Sequence, residues 1–248
     1  MFLLASSNPF IRSYVEADWF GKAIFLSLFA LSILCWSLII YKYWVYRQIK
    51  KISQTFAEQF SEKELLTLQF KPLRGRLLEV PNPLFEIYKA LKNKVLQIID
   101  RNHYFAPNEE AVLSEADLEL IEREIQMAIS KQTTGLEKNL FILSTIVTLG
   151  PFLGLLGTVW GILMTFSDLH TRGGAMGNAA MLSGLSLALT TTVIGLVIAI
   201  PAVIGYNVLK NVSRDFRREM EHFSQTLLAA TELQYRKPNH AQKIPVSP

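Results

Sequence analysis

Hydroxyl side chains recur inside two long uncharged stretches of this 248-residue chain, among them Ser144, Thr145, Thr148, Thr158 and Thr165 in one and Ser183, Ser186, Thr190, Thr191 and Thr192 in the other. A hydroxyl donates one hydrogen bond and accepts others, so it can solvate or position a charge but holds none near neutral pH. The simplest role for each is a bond to the carbonyl one turn back, which is common in membrane helices. Thr158 and Thr192 differ in their neighbours. Gly154 precedes Thr158 by four residues and Gly161 follows it by three, while Thr192 lies in the row Gly184, Ala188, Thr192, Gly195, Ala199. Both hydroxyls therefore sit on small-residue faces that another helix can approach closely. The pattern leaves two readings open for them, carbonyl back-bonding or a route for a cation or proton. An absence sharpens the second. The three uncharged stretches contain no Asp, Glu, Lys, Arg or His. A proton relay needs an ionisable group at membrane depth, so a proton-conducting reading requires that group to come from another polypeptide.

The elements that must carry these hydroxyls follow from the charge pattern. Residues 139–167 form a run of 29 without a charge, built around Gly150, Gly154, Gly157 and Gly161, which fall on one helical face. A run this long and apolar reads as a membrane-spanning helix, and a glycine stripe on it lets a second backbone come close. Residues 23–41 form an uncharged run of 19, about 28 Å of helix at ~1.5 Å per residue, just enough to span. Residues 173–209 form a run of 37, from which a span over 181–209 is expected, with Gly184 and Gly195 as packing positions. Pro201 removes a helix hydrogen bond to the carbonyl of Val197 and is expected to bend that span. The fold class is thus an all-α membrane protein with three transmembrane helices, the second and third long and continuing into the cytoplasm. The 50% hydrophobic composition and mean hydropathy of +0.25 agree with this.

Basic residues set the expected orientation, because short loops rich in Lys and Arg stay in the cytoplasm. They cluster after the first run (Lys42, Arg47, Lys50, Lys51) and after the third (Lys210, Arg214, Arg217, Arg218). The expected organisation is an external N-terminal segment over 1–21, spans at 22–44, 139–167 and 181–209, a cytoplasmic helical region over 45–138, an external loop over 168–180, and a cytoplasmic helix and tail over 210–248. The first ten residues lack the basic start of a signal peptide, so the first span is expected to serve as its own uncleaved signal. In the cytoplasmic region, Leu65–Leu68 and Leu84–Ile99 have helical apolar spacing, and Pro72, Pro81, Pro83 and Pro107 divide it into short pieces. Ser114 and Asp117 resemble a capping box opening a longer helix whose apolar face is Leu118, Ile121, Ile125 and Ala128. With only Gly135 to interrupt, that helix is expected to run straight into the second span. In the tail, Phe216, Met220, Phe223, Leu227 and Ala230 form a heptad-like seam, packing either within the protomer or between copies.

Other chemistries find no footing. His103, His170, His222 and His240 have no partner at ligand spacing, so no metal is expected. Gly154-Leu-Leu-Gly157-Thr158 lacks the Lys of a phosphate loop. No nucleophile, base and orienting acid converge, so neither an enzyme nor a cofactor is expected. The net charge of +4 collects at membrane exits rather than on a patch interleaved with aromatics, which argues against nucleic acid. The single Cys35 lies mid-span and excludes a disulfide framework.

The stretches Leu136-Glu-Lys-Asn-Leu140, Pro151-Phe-Leu-Gly-Leu-Leu-Gly-Thr158-Val-Trp-Gly-Ile162 and Thr192-Val-Ile-Gly-Leu-Val-Ile-Ala-Ile-Pro-Ala202 resemble the MotA/TolQ/ExbB proton-channel family. The resemblance implies a subunit of a proton-motive-force-driven motor in the bacterial inner membrane and cell envelope, with the N-terminus periplasmic and the C-terminus cytoplasmic. It implies a homopentamer around a dimer of a TolR- or ExbD-type single-span partner that supplies a membrane aspartate. Thr158 and Thr192 then line the proton route near that aspartate, and Gly154, Gly157, Gly161 and Gly195 pack around the partner. Family members commonly carry a glutamate five residues before the second threonine. Here that position is Leu187, so either Ser186 or Thr190 substitutes by hydrating the route or the coupling differs. The competing reading is a non-conducting oligomeric membrane scaffold built on the same glycine faces.

Overall fold

A computed structural model describes residues 9–59, 82–105, 112–172 and 175–235 of the chain. Among the described residues there are six helices and no strand: α1 (Pro9–Glu16), α2 (Trp19–Gln59), α3 (Pro83–Phe105), α4 (Glu115–Glu137), α5 (Leu140–Arg172) and α6 (Ala175–Tyr235). Three helical stretches are long and apolar enough to cross a membrane, within Trp19–Phe56, Glu115–His170 and Met181–Tyr235. The protein is thus an all-α membrane protein with three candidate spans. The expected helix around Leu65–Leu68 and the prolines Pro72, Pro81 and Pro107 lie outside the described residues.

The chain forms two compact units. One comprises residues 1–43 and 138–211, the other residues 44–137 and 212–248. The first holds α1, α5, the beginning of α2 and most of α6. Its surface is dominated by exposed large apolar side chains, such as Phe29, Phe152, Phe166, Leu182 and Leu189, each more than 60% accessible. Such a surface is stable only against lipid or other protein. The two helices flanking Gly173 and Gly174 reach further than the uncharged runs alone suggested, since α5 continues to Arg172 and α6 is already helical from Ala175. Pro151 and Pro201 both lie inside helices, in α5 and α6.

The second unit contains α3 and α4 with the ends of α2 and α6. Ile121, Ile125 and Ile129 of α4 are buried, as are Ile87, Leu91, Val95 and Ile98 of α3, so each helix commits one apolar stripe to the shared core. The capping box at the start of α4 is formed. Asp117 N–H donates to Ser114 Oγ at 3.2 Å, and Ser114 N–H and Oγ–H return bonds to Asp117 Oδ2 at 3.1 and 2.7 Å. Arg101 adds an ion pair at 2.9 Å. Burial works to raise the Asp117 carboxyl, but the Ser114 bonds, with Asn102 and Arg101, hold it below the usual carboxylate range. Its contribution to stability is therefore present above that range and lost as the pH falls through the lowered value.

The tail seam packs within the protomer: Phe216, Met220 and Leu227 are buried, Tyr46 stacks on Phe216 at 6.2 Å, and Phe56 meets Phe223 edge-on at 5.9 Å. The buried Tyr46 hydroxyl donates to the carbonyl of Leu136 at 2.9 Å, and burial pushes its phenol up to about 12. That carbonyl belongs to the last turn of α4, where no helical donor follows it.

The helix α4 does not run into α5. It ends at Glu137, two turn residues follow, and Asn139 takes a left-handed backbone with φ of 70° before α5 begins at Leu140. The break thus falls at Asn139 rather than at Gly135, which is helical and has open space around it. Asn is the non-glycine residue that best tolerates this conformation, because its short polar side chain bonds locally. Asn139→Gly should leave the thermal midpoint of the purified protein within a degree or two. Asn139→Val, β-branched at positive φ, should cost about 1–2 kcal/mol and lower it clearly.

Candidate functional site

The hydroxyl residues are positioned by one helix pair, α5 against α6. In lipid, apolar side chains gain nothing by leaving lipid for each other, so close association depends on packing and hydrogen bonds. The glycine stripe of α5 provides this. A methyl group placed on Gly150 would lie 3.1 Å from the carbonyl oxygen of Gly195, and one on Gly154 would lie 3.0 Å from the backbone of Thr191 and Thr192. One on Gly161 would lie 2.6 Å from the carbonyl oxygen of Gly184. The relation is reciprocal, since a methyl on Gly195 would meet the Gly150 carbonyl at 2.5 Å and one on Gly184 would overlap the Thr165 hydroxyl. Gly157 faces the Thr191 side chain, which is fully buried in that notch. The face that the resemblance implies for a central partner is, within this chain, occupied by α6.

Several of the hydroxyls bond a carbonyl of their own helix. Thr145 donates to Phe141 at 2.9 Å, Thr148 to Thr145 at 2.9 Å, and Thr165 to Gly161 at 2.8 Å. Thr191 lies 3.0 Å from the carbonyls of both Leu187 and Ala188. Thr158 and Thr192 are different. Their hydroxyl oxygens are 2.5 Å apart across the two helices, at the short end for hydroxyl pairs. The Gly154 carbonyl accepts from this pair, at 3.2 Å from Thr158 and 3.1 Å from Thr192. One hydrogen serves the inter-hydroxyl bond and the other the carbonyl, so either threonine can act as donor. Both side chains are half-buried, on the margin of the helix interface. The arrangement can pass a hydrogen bond in either direction and can solvate a cation, but it holds no charge itself.

Ser186 and Thr190 do not join this pair. Both bond Ser13 of α1, at 2.7 and 3.1 Å, and Ser13 is buried. Within this chain their hydroxyls anchor the N-terminal segment. Leu187 is buried too, in a cluster with Ala17 and Phe25 against which Trp160 and Ile194 pack.

Sequence reasoning missed a carboxylate. Asp18, read as part of an external segment, accepts from the indole N–H of Trp160 at 3.1 and 3.0 Å. It also receives the Gly21 N–H at 2.9 Å, capping the first turn of α2. A methyl on Gly21 would meet both Asp18 Oδ1 at 2.9 Å and Leu187 Cδ2 at 3.1 Å, so the acid is brought beside Leu187. Trp160 and Thr158 are two residues apart and point about 160° apart around α5 at 3.6 residues per turn, which puts Asp18 on the other flank from the threonine pair. The signal available in the sequence was an Asp two residues after Glu16 and three before Gly21, a helix start rather than a site.

Apolar helices packed through glycine, with a hydroxyl pair bridging them, define a helical membrane protein whose candidate spans associate through small residues. Comparison with known proteins gives the family. Residues 87–222 match the MotA/TolQ/ExbB proton channel family, and the chain belongs to that family. It is 31% identical over 186 residues to the Tol-Pal system protein TolQ of Pseudomonas aeruginosa, covering 75% of this chain and 76% of the relative. It is 27% identical over 225 residues to TolQ of Haemophilus influenzae, covering 88% and 93%. A shorter match, 50% identical over 74 residues, links it to the biopolymer transport protein ExbB of Helicobacter pylori, covering 30% of this chain and half of the relative.

Gly157→Ala should overlap the Thr191 side chain and cost about 1–3 kcal/mol, read as a lower yield of folded protein and a lower thermal midpoint. Trimming the obstruction, in the double variant Gly157→Ala with Thr191→Ala, should restore part of that loss. Gly195→Ala meets backbone rather than a side chain, so no such trimming should rescue it.

Proposed function

We propose that this protein is the stator subunit of a motor driven by the proton motive force in the bacterial inner membrane, of the TolQ/ExbB type. Five copies surround a dimer of a TolR- or ExbD-type single-span protein, and the work is transmitted to the outer envelope. The observation that carries this reading is the Thr158–Thr192 hydroxyl pair, 2.5 Å apart and half-exposed on the margin of two helices whose uncharged runs hold no Asp, Glu, Lys, Arg or His. Such a wall can solvate a proton in transit. It cannot store one, and the partner's membrane aspartate supplies that function. Protonation of the partner carboxylate from one side and release to the other then changes the charge facing the wall, which favours movement of the partner relative to it.

The long matches to TolQ relatives favour the TolQ type over the ExbB type, whose matches are shorter. The Lys and Arg residues that follow the first and third uncharged runs support a periplasmic N-terminus and a cytoplasmic C-terminus. The scaffold alternative rested on the glycine stripe as an oligomerisation face. With that stripe filled by α6 of the same chain, it gives no support to a scaffold role.

Thr192→Val should abolish gradient-driven function while the assembled complex still purifies, and Thr192→Ser, which keeps the hydroxyl, should retain most of it. Normal activity in the valine variant removes Thr192 from the route. The chain reconstituted alone in liposomes should show no proton leak above protein-free vesicles under an imposed gradient; a clear leak would place the titrating group in this subunit.

A further inference from the structure

The burial pattern of residues 10–20 runs opposite to that of a helix resting on a water-exposed protein surface. The side chains turned inward are small: Ser13 and Ala17 are 1% and 7% exposed, and Gly21 continues the same row. Those turned outward are large and apolar, with Ile11, Tyr14, Val15 and Trp19 exposed by 44%, 47%, 65% and 78%. In water this arrangement gives up the benefit of burying apolar area and uses its inward face on a serine. In lipid it is the favourable arrangement.

The charges fit the same environment. The segment carries Arg12, Glu16 and Asp18. Arg12 and Glu16 pair with each other at 2.8 Å. Asp18 is held by the Trp160 indole and the Gly21 N–H. Each charge is thus partnered within the protein, which lowers the cost of placing it near hydrocarbon.

The anchors fix the depth. Ser13 bonds Ser186 and Thr190, both inside the uncharged run of α6. Asp18 bonds Trp160, which lies eight residues, about 12 Å at ~1.5 Å per residue, inside the Asp168 end of the uncharged run of α5. The outward face is also continuous with the apolar surface of α2. Tyr14 meets Phe25 edge-on at 5.7 Å, and Leu26 and Phe29 beyond it are 67% and 64% exposed.

We propose that the segment from Pro9 to Phe20 is inserted in the membrane, with its Ile11, Tyr14, Val15 and Trp19 face against lipid at the boundary between acyl chains and headgroups. The chain then has a fourth membrane-embedded element beside its three spans. At eight residues α1 is too short to cross, but Tyr14 and Trp19 are side chains whose amphipathic rings suit the headgroup level. The partner of this surface is phospholipid rather than a second copy, because the face continues the lipid-facing surface of the first span. The inference depends on membrane crossing alone and not on proton conduction.

The test uses the full-length chain in phospholipid bilayers, with Cys35→Ala removing the only cysteine and a nitroxide attached at Val15→Cys or, separately, Ile11→Cys. Labels at Phe29→Cys on α2 and Glu119→Cys on α4 serve as lipid and water references. Collision with oxygen should exceed collision with a water-soluble nickel chelate at both 11 and 15, giving a ratio several-fold above that at 119 and below that at 29. Frequent collision with nickel would place the segment in water and overturn the proposal. Poor access to both reagents would mean that protein, either another copy or residues 1–8, covers the face, and would overturn it equally.

Discussion

The structure depends on the approach of two backbones, α5 and α6, through glycine. In lipid there is no hydrophobic gain from bringing apolar helices together, so contact must come from dispersion at close range and from hydrogen bonds. A side chain on Gly150, Gly161, Gly184 or Gly195 would meet a backbone carbonyl of the other helix, so these positions set the separation. That separation places Thr191 in the Gly157 notch and leaves Thr158 and Thr192 close enough to bond each other. A wider pair would leave the two hydroxyls to bond only their own helices, as Thr145 and Thr165 do.

Polar groups are scarce at this depth, and each flank of the α5–α6 pair uses its few for a separate purpose. Thr190 and Thr192 are neighbours but one in sequence and point about 160° apart on α6 at 3.6 residues per turn. Thr190 joins Ser186 in holding Ser13, whereas Thr192 meets Thr158 and the Gly154 carbonyl. One flank secures the N-terminal segment with hydroxyls and the Asp18–Trp160 bond. The other offers a half-exposed pair of hydroxyls with no acid beside it. Under the proposed function, this division keeps the partner-facing wall free of fixed charge, so that the charge state of the partner alone drives movement.

Periodicity and composition were reliable guides where a single helix decides the outcome. The Ser114–Asp117 box, the Ile121–Ile125 face and the buried Phe216–Met220–Leu227 seam follow from spacing within one element. The break between α4 and α5 was harder to read, because glycine is the usual helix interrupter and Gly135 was nearby. Asn139 carries the left-handed backbone instead, a role its side chain permits without advertising it. The hydroxyls Ser186 and Thr190 were legible as polar residues on a span but not as ligands of Ser13. That bond joins residues more than 170 positions apart.

The sequence by itself determined the three candidate spans, the absence of charge within them and the small-residue faces, because hydropathy and helical spacing add up locally along the chain. Tertiary structure decided which glycine meets which carbonyl, that the stripe is filled by α6, that Leu187 is buried, and that Asp18 reaches Trp160 from outside the span. These depend on which faces of separate helices meet and at what rotation. Several small faces are equally able to pack, and only the whole arrangement, in which every buried hydroxyl and carboxylate must also find a partner, selects among them.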